Sequence, residues 1–313
     1  MPELTRVRSV LFMPGTRADM IAKIPRFAPD VAIIDLEDAV APGDKAAARR
    51  TTAGAINALD PESPSVVLVR VNPVGTPWFA ADIAAAAGSA AAGVVVPKLA
   101  SRPQLGQVRQ ALAEHSRTGA LIIAGIETAL GVADVRTLLA GELRRPGVPG
   151  VPGVPGVPGV LSAAYFGAED YIADIGGRRS PGGEEVLYAR SQVCLAAYLA
   201  GLPAIDQVVV DIADDDQFLA DARRGQSLGY QGKMCIHPRQ VGLAHQVFTP
   251  TAEEVAHARA VVAAGEAGVA VVDGQMVDEV HVRMARAVLA RAGGAPDPAR
   301  PGDPGTPGLA GTP

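Results

Sequence analysis

The sequence predicts an α/β fold, a (β/α)8 barrel followed by a C-terminal helical extension, and three observations lead there. Eight short runs rich in β-branched residues recur along the chain. Most are continuously apolar, as expected of parallel strands covered on both faces, rather than alternating as in a sheet with one wet face. Ala-rich stretches of good helix propensity lie between them. Eight alternations are enough to close a barrel, whereas a doubly wound sheet usually stops at about five to seven strands.

Taken in order, the first strand is predicted over Ser9–Met13, where the apolar run stops at Pro14-Gly15, and the second over Val31–Leu36, closed by acidic residues. A helix follows over Asp44–Leu59, then strands over Val66–Val71 and Gly93–Pro97. The helix at Arg102–Arg117 leads to the fifth strand, Leu121–Ile126, and the sixth is placed at Ala163–Phe166. Helix Glu184–Ala200, strand Gln207–Ile212, helix Asp214–Ser227 and strand Lys233–Ile236 complete the count. Residues 1–250 thus form the barrel and 251–292 the extension, while the Gly- and Pro-rich residues 293–313 lack apolar anchors and read as a disordered tail. Pro146–Val160 repeats Pro-Gly-Val five times. Proline removes donors and glycine adds freedom, so this stretch reads as a loop inserted at the surface.

Composition excludes several classes of function. With 48% hydrophobic residues the 313-residue chain has ample material for a core. The formal charge is -5 and no basic block is present, which argues against nucleic acid as a partner. The longest uncharged stretch, Ile83–Pro97, is too short to span a bilayer, and the start of the chain does not form a signal peptide's apolar region. Cys194 and Cys235 cannot build a disulfide framework, and no Cys/His cluster suggests zinc. A cytoplasmic protein is expected. No phosphate loop, HExxH or strand-linked GxGxxG is found. Cys235 lies near His237, but without an orienting third group it reads as a structural thiol.

A barrel gathers its site at the carboxyl ends of its strands. There the chain places Pro14-Gly15, Asp35-Leu36-Glu37-Asp38, Arg70-Val71-Asn72, Lys98, Glu127, Glu169-Asp170, Asp211 and His237. Asp38 and Glu127 taken singly are read equally well as helix caps, and Asp211 as a strand terminator. Together, so many charges at one mouth are costly to bury unless something binds there. Glu127 and Asp170, from adjacent strands, suit Mg2+, which takes one or two carboxylates and completes its octahedron with water and substrate oxygens. Arg70 is a fixed cation suited to a carboxylate or a developing enolate oxygen. Of the four lysines, Lys98 and Lys233 lie at barrel strands; beside acidic neighbours Lys98 reads as a counter-ion rather than a Schiff-base nucleophile.

Arg8–Gly15 (RSVLFMPG), Val31–Val40 (VAIIDLEDAV), Val69–Asn72 (VRVN), Val95–Lys98 (VVPK), Gly125–Thr128 (GIET), Phe166–Tyr171 (FGAEDY), Gly232–Val241 (GKMCIHPRQV) and Gly274–Asp278 (GQMVD) follow one another in family order. In these motifs the chain resembles the citrate lyase β-subunit-like CoA-ester lyases, the HpcH/HpaI group of the phosphoenolpyruvate/pyruvate barrel superfamily, whose members include malyl-CoA and citramalyl-CoA lyases. The resemblance implies a homotrimer that binds Mg2+, a CoA thioester and a small 2-oxo acid. It implies Glu127 and Asp170 as metal ligands and Arg70 as the residue holding substrate and enolate. It also implies Phe12, Arg17, Lys23, Ile236 and His237 as substrate or CoA contacts, and Asp278 as a catalytic carboxylate given to a neighbouring subunit. Arg17 and Lys23 also read as solvated helix charges, and Asp278 as the cap of the last helix. The expected reaction is cleavage or formation of a 3-hydroxyacyl-CoA. Two other readings are a metal-dependent 2-oxo-acid aldolase, which tends to carry histidine where this chain has Asp38, and a non-catalytic thioester-binding subunit of a citrate lyase complex.

Overall fold

The computed structural model describes residues 4, 6–140, 160–265 and 270–293. The expected Pro-Gly-Val loop, except for Val160, and the tail beyond Gly293 lie outside these residues. Eight parallel strands close a barrel in sequence order: β1 (Ser9–Pro14), β2 (Val31–Asp35), β3 (Val66–Arg70), β4 (Gly93–Val96), β5 (Leu121–Ile126), β6 (Val160–Phe166), β7 (Ala204–Asp206) and β8 (Gly232–Cys235), which returns to pair with β1. The helices are α1 (Ala18–Ile21), α2 (Ile24–Phe27), α3 (Lys45–Asn57), α4 (Phe79–Ala87), α5 (Arg102–Glu114), α6 (Ala129–Leu139), α7 (Ala168–Asp174), α8 (Glu184–Leu199), α9 (Asp215–Leu228) and α10 (Pro238–Phe248). The barrel fold is as the sequence predicts. No helix among the described residues is long and apolar enough to cross a membrane.

Two apolar layers follow from the period-2 alternation of the strands. Val10, Val31, Ile33, Leu68, Val95, Leu121, Ile123, Ala163, Tyr165, Ile205 and Met234 fill the barrel interior. The alternate residues, among them Leu11, Met13, Ala32, Ile34, Val69, Val94, Val96, Ile122 and Ala164, meet the surrounding helices. Close backbone approach requires glycine on β4, since a Cβ on Gly93 would lie 2.0 Å from the Leu121 carbonyl oxygen.

The seventh strand differs from expectation. It is three residues long and lies upstream of the β-branched run Gln207–Ile212 that the sequence predicts as the strand. A buried charge cluster accounts for this. Asp206 stands beside Lys233 in the ladder, Lys233 Nζ contacts Asp206 at 3.0 Å and Asp221 at 2.5 Å, and Arg190 grips Asp206 through two hydrogen bonds of 2.6 and 2.8 Å. The Gln207 carbonyl accepts from the same lysine at 2.8 Å, which directs that oxygen to a side chain in place of a ladder partner. The run beyond it is spent on the rim, where Val210 and Ile212 are exposed. Asp211 therefore does not close a strand; it is exposed and accepts from the Ala213 N–H.

The described residues up to Phe248 form one compact unit, and those from Thr249 to Gly293 a second. In the second, α11 (Ala252–Gly265) and α12 (Glu279–Gly293) pack Ala258, Val261, Val282 and Ala285 around Val277. This extension is not wholly helical: β9 (Ala270–Val272) and β10 (Gln275–Val277) pair as an antiparallel hairpin. Its two-residue turn, Asp273-Gly274, has both φ values positive, as a tight hairpin of this kind requires.

Lys233→Met keeps most of the side-chain volume but leaves Asp206 and Asp221 with one cation fewer. Stability is expected to fall by about 3 kcal/mol. A urea unfolding curve showing no shift in midpoint would contradict a structural role for the cluster.

Candidate active site

The inward parity that fills the barrel with aliphatic side chains changes character at the carboxyl ends of the strands. Continuing it by one or two residues brings Phe12 on β1, Asp35 on β2, Arg70 on β3, Glu127 just past β5 and Tyr165 on β6 around a cavity of about 440 Å³. Pro14, Asp38, Gly167, Glu169, Asp170, Val208, Met234 and Ile236 also line it. Five of these residues are acidic and only Arg70 is basic.

Asp35 and Arg70 are register partners on adjacent strands, and the guanidinium grips the carboxylate through two hydrogen bonds of 2.7 and 2.6 Å. A third contact, 2.9 Å from Arg70 to Glu37, joins the next acidic residue. The Arg70 guanidinium also lies over the Phe12 ring at 5.2 Å. Burial works against the charge, yet Asp35 and Glu37 hold it protonated far above any physiological pH. Asp35 accepts in addition from the N–H groups of Glu37 and Ala39, folding the acidic segment into a turn. Lys45 braces that turn from behind, donating to the carbonyls of Leu36 and Glu37 and to Asn72 Oδ1 at 2.6–2.8 Å.

Glu127 is 2% exposed. Tyr165 donates its hydroxyl to Oε1 at 2.5 Å, and the Lys98 N–H donates to Oε2 at 2.9 Å. Burial pushes this carboxyl above its usual range, and Asp170 adds to the shift. Glu127 is not a helix cap, since Thr128 fills that role for α6 by accepting from the Gly131 N–H. Close approach leaves no room for a side chain opposite it: a Cβ on Gly167 would lie 2.5 Å from Glu127 Cγ. Asp170 sits in the first turn of α7, where the helix dipole favours a carboxylate. Lys98 Nζ lies 3.1 Å from Asp170 and 2.6 Å from Glu37. Burial, with Glu127 and Asp38 nearby, pushes the Glu37 carboxyl up to about 7 despite the pull of Arg70 and Lys98.

Glu127 and Asp170 thus face one cavity with hard oxygen donors, the set that suits Mg2+ when water and substrate supply the remaining ligands. Among the described residues no three or more His, Cys, Asp or Glu side chains converge as a metal cluster.

Phe12, Arg70, Glu127, Asp170 and Ile236 of the expected residues come together here. Arg17 and Lys23 do not line the cavity; both are exposed and share Asp19, at 2.8 and 3.9 Å, as solvated helix charges would. His237 also stands outside it, its N–H held 3.3 Å from Gln240 Oε1. Asp278 belongs to the second unit and caps α12, its Oδ1 accepting from the N–H groups of Val280 and His281 and lying 2.7 Å from His281 Nδ1. The Cys235 thiol is buried and pushed up to about 12, which makes it an inert packing group. Gly225-Gln226-Ser227-Leu228-Gly229 has the GxSxG spacing of serine hydrolases, but it ends helix α9 and the Ser227 hydroxyl donates to the Arg223 carbonyl. Tyr165 and Val208 were not singled out by sequence. The parity of Ala163 and Tyr165 on β6 was the available signal for the first; Val208 was hidden by the misplaced seventh strand.

Residues 8–238 match the HpcH/HpaI aldolase/citrate lyase family. A citrate lyase subunit beta-like protein of Deinococcus radiodurans is 47% identical over 90% of this chain and 96% of its own length. An L-malyl-CoA/beta-methylmalyl-CoA lyase of Cereibacter sphaeroides is 32% identical over 91% of this chain and 94% of its own. The crystal structure of CitE from Mycobacterium tuberculosis in complex with magnesium, acetoacetate and coenzyme A superposes with a TM-score of 0.74 at 34% identity, covering 91% of this chain and 97% of that one.

Tyr165→Phe leaves Glu127 Oε1 without its hydroxyl donor and is expected to cost about 1–3 kcal/mol of stability. The Tyr165 hydrogen bond favours the ionised carboxylate, so its loss raises the already elevated Glu127 pKa further. The penalty should therefore be largest where Glu127 is ionised and shrink as pH falls through its folded-state pKa. Unfolding curves across that range with a constant difference between variant and wild type would contradict it.

Proposed function

Because the chain belongs to the HpcH/HpaI aldolase/citrate lyase family, we propose that it is a Mg2+-dependent carbon–carbon lyase, a cytoplasmic CoA-ester lyase. It would cleave or form a 3-hydroxyacyl-CoA such as malyl-CoA or citramalyl-CoA, with acetyl-CoA and a 2-oxo acid on the other side of the reaction. The observation that carries this reading is the shared cavity of Glu127, Asp170 and Arg70, in which acidic side chains outnumber basic ones. The names of the relatives, a malyl-CoA lyase among them, support the substrate class.

Glu127 and Asp170 would hold the Mg2+, which supplies Lewis-acid polarisation of the oxygen on the carbon that becomes the 2-oxo centre. Arg70 has five N–H donors, gives two to Asp35 and pairs with Glu37 by charge alone, leaving donors for the substrate carboxylate and for enolate charge on the thioester oxygen. The ion pair with Asp35 fixes the guanidinium before substrate arrives, so little reorganisation is needed. Phe12, Val208, Met234 and Ile236 line the cavity with apolar surface. In this reading the CoA arm runs over the rim, where Arg17 and Lys23 meet its phosphates and Ile236-His237 border the nucleotide. Asp278 comes from a neighbouring subunit of a homotrimer and moves the proton at the methyl carbon of acetyl-CoA.

Incubating the protein with Mg2+ and malyl-CoA or citramalyl-CoA should release acetyl-CoA, and chelation should stop it. Thioester binding without turnover would instead favour the non-catalytic subunit, and turnover of CoA-free hydroxy-oxo acids alone the aldolase. Asp38 on the cavity wall, where such aldolases tend to carry histidine, favours the CoA-ester lyase.

Asp278→Ala is expected to lower kcat by about 100-fold or more while leaving CoA affinity intact, the signature of a lost proton-transfer group. Loss of CoA binding in step with activity would show that Asp278 serves only as the α12 cap.

A further inference from the structure

Lys98 touches both carboxylates assigned to the metal, each through a different part of the residue. Its backbone N–H holds Glu127 Oε2 at 2.9 Å, and its ammonium lies 3.1 Å from Asp170. The residue adopts a left-handed backbone conformation, φ 52°, which a side chain with a Cβ seldom takes without a compensating contact. The ammonium is also 2.6 Å from Glu37 and 3.8 Å from Asp38, acidic groups that it shares with Arg70. The ammonium is thus half-buried among carboxylates of the segment after β2 and of α7.

From this geometry we propose that Lys98 is a positioning residue with a built-in competitor: its amide fixes Glu127, while its ammonium occupies the Asp170 carboxylate and must yield when a divalent cation binds. The inference rests on the proposed assignment of Glu127 and Asp170 as metal ligands and goes beyond it. A tethered ammonium stands at high local concentration, so a monovalent ion of equal charge gains little by displacing it. A dication gains about twice the Coulomb energy from the same carboxylates and prevails. Lys98 thereby lowers the affinity of the free protein for any cation and raises its preference for divalent over monovalent ones. The displaced ammonium keeps Glu37 as its partner.

Titration calorimetry of the full chain with MgCl2 tests this on wild type, Lys98→Gly, Lys98→Asn and Lys98→Arg. Glycine and asparagine both accept the left-handed conformation and keep the amide N–H, so they remove only the ammonium. Either one serves if the other fails to fold, as judged by circular dichroism. The expected result is Mg2+ binding on the order of tenfold tighter in Lys98→Gly and Lys98→Asn, close to wild type in Lys98→Arg, and more sensitive to added KCl in the two neutral variants. Unchanged or weaker Mg2+ binding in folded neutral variants overturns the competitor role while leaving the metal site standing. Absence of Mg2+ binding to wild type in the millimolar range, with Glu127→Gln and Asp170→Asn indistinguishable from it, overturns the metal assignment and this inference together.

Discussion

An excess of acidic groups at one end of the barrel is the constraint on which the rest of the structure turns. Asp35, Glu37, Asp38, Glu127, Glu169 and Asp170 crowd the carboxyl ends of the strands and the loops that follow them, and Arg70, Lys98 and Arg179 form ion pairs with carboxylates of this group. Each cation is shared. Arg70 bridges Asp35 and Glu37, Lys98 bridges Glu37 and Asp170, and Arg179 pairs with Glu169 and Glu185. Burial pushes Glu127 and Glu37 upward even so, which means that the positive charge present does not fully offset the cost of ionising them. A site in this condition would gain free energy from an added cation, which is the physical ground for the proposed Mg2+.

The lysines show how the chain divides its few flexible cations. Lys45 is buried behind the acidic turn and donates three hydrogen bonds that hold its carbonyls in place. Lys233 points out of the barrel into the layer beneath α9, where it ties β7 and β8 to Asp221. Lys98 alone of these three reaches a residue that lines the cavity. Arginine could not replace Lys45 with the same effect, because a planar fork cannot aim three donors from one atom at two carbonyls and an amide oxygen.

Much of this was legible in the sequence, and the reasons are local. A parallel strand covered on both faces must be apolar throughout, so the first six strands and the eighth were located from their runs to within three residues. The motif ends that follow them, Asp35, Arg70, Glu127 and Asp170, sit where barrel closure brings strand ends together, and they do line one cavity. The seventh strand was missed because Val208, Val209 and Val210 have high strand propensity, whereas the actual position is fixed by Asp206, Arg190 and Lys233 meeting across distant parts of the chain. Propensity reports a residue's own preference, and an ion cluster is a property of three elements at once. The hairpin in the second unit escaped for the opposite reason. Its strands are three residues long, too short for an alternation to stand out, and only the Asp-Gly turn marks it.

The fate of the thioester in the proposed reaction turns on water, and here the walls of the cavity decide. A site able to polarise a thioester and stabilise its enolate is one water molecule away from hydrolysing it, since an attacking hydroxide would use the same positive charge. Carbon–carbon cleavage prevails where water is kept from the thioester carbon. Phe12 packs edge-on against Tyr165 at 6.3 Å and lies under the Arg70 guanidinium, so one wall beside the arginine is aromatic. Val208, Met234 and Ile236 add apolar surface to the lining. Polar groups are concentrated instead around Glu127 and Asp170, with the Lys98 ammonium against Asp170 and Glu169 on the same helix turn. In the proposed reaction the two kinds of lining would suit the two halves of one substrate, the oxygens of the acid portion toward the carboxylates and the thioester toward the apolar side chains. The choice between cleavage and hydrolysis would then turn on Phe12 and Val208, residues that hold no charge and take no part in moving a proton.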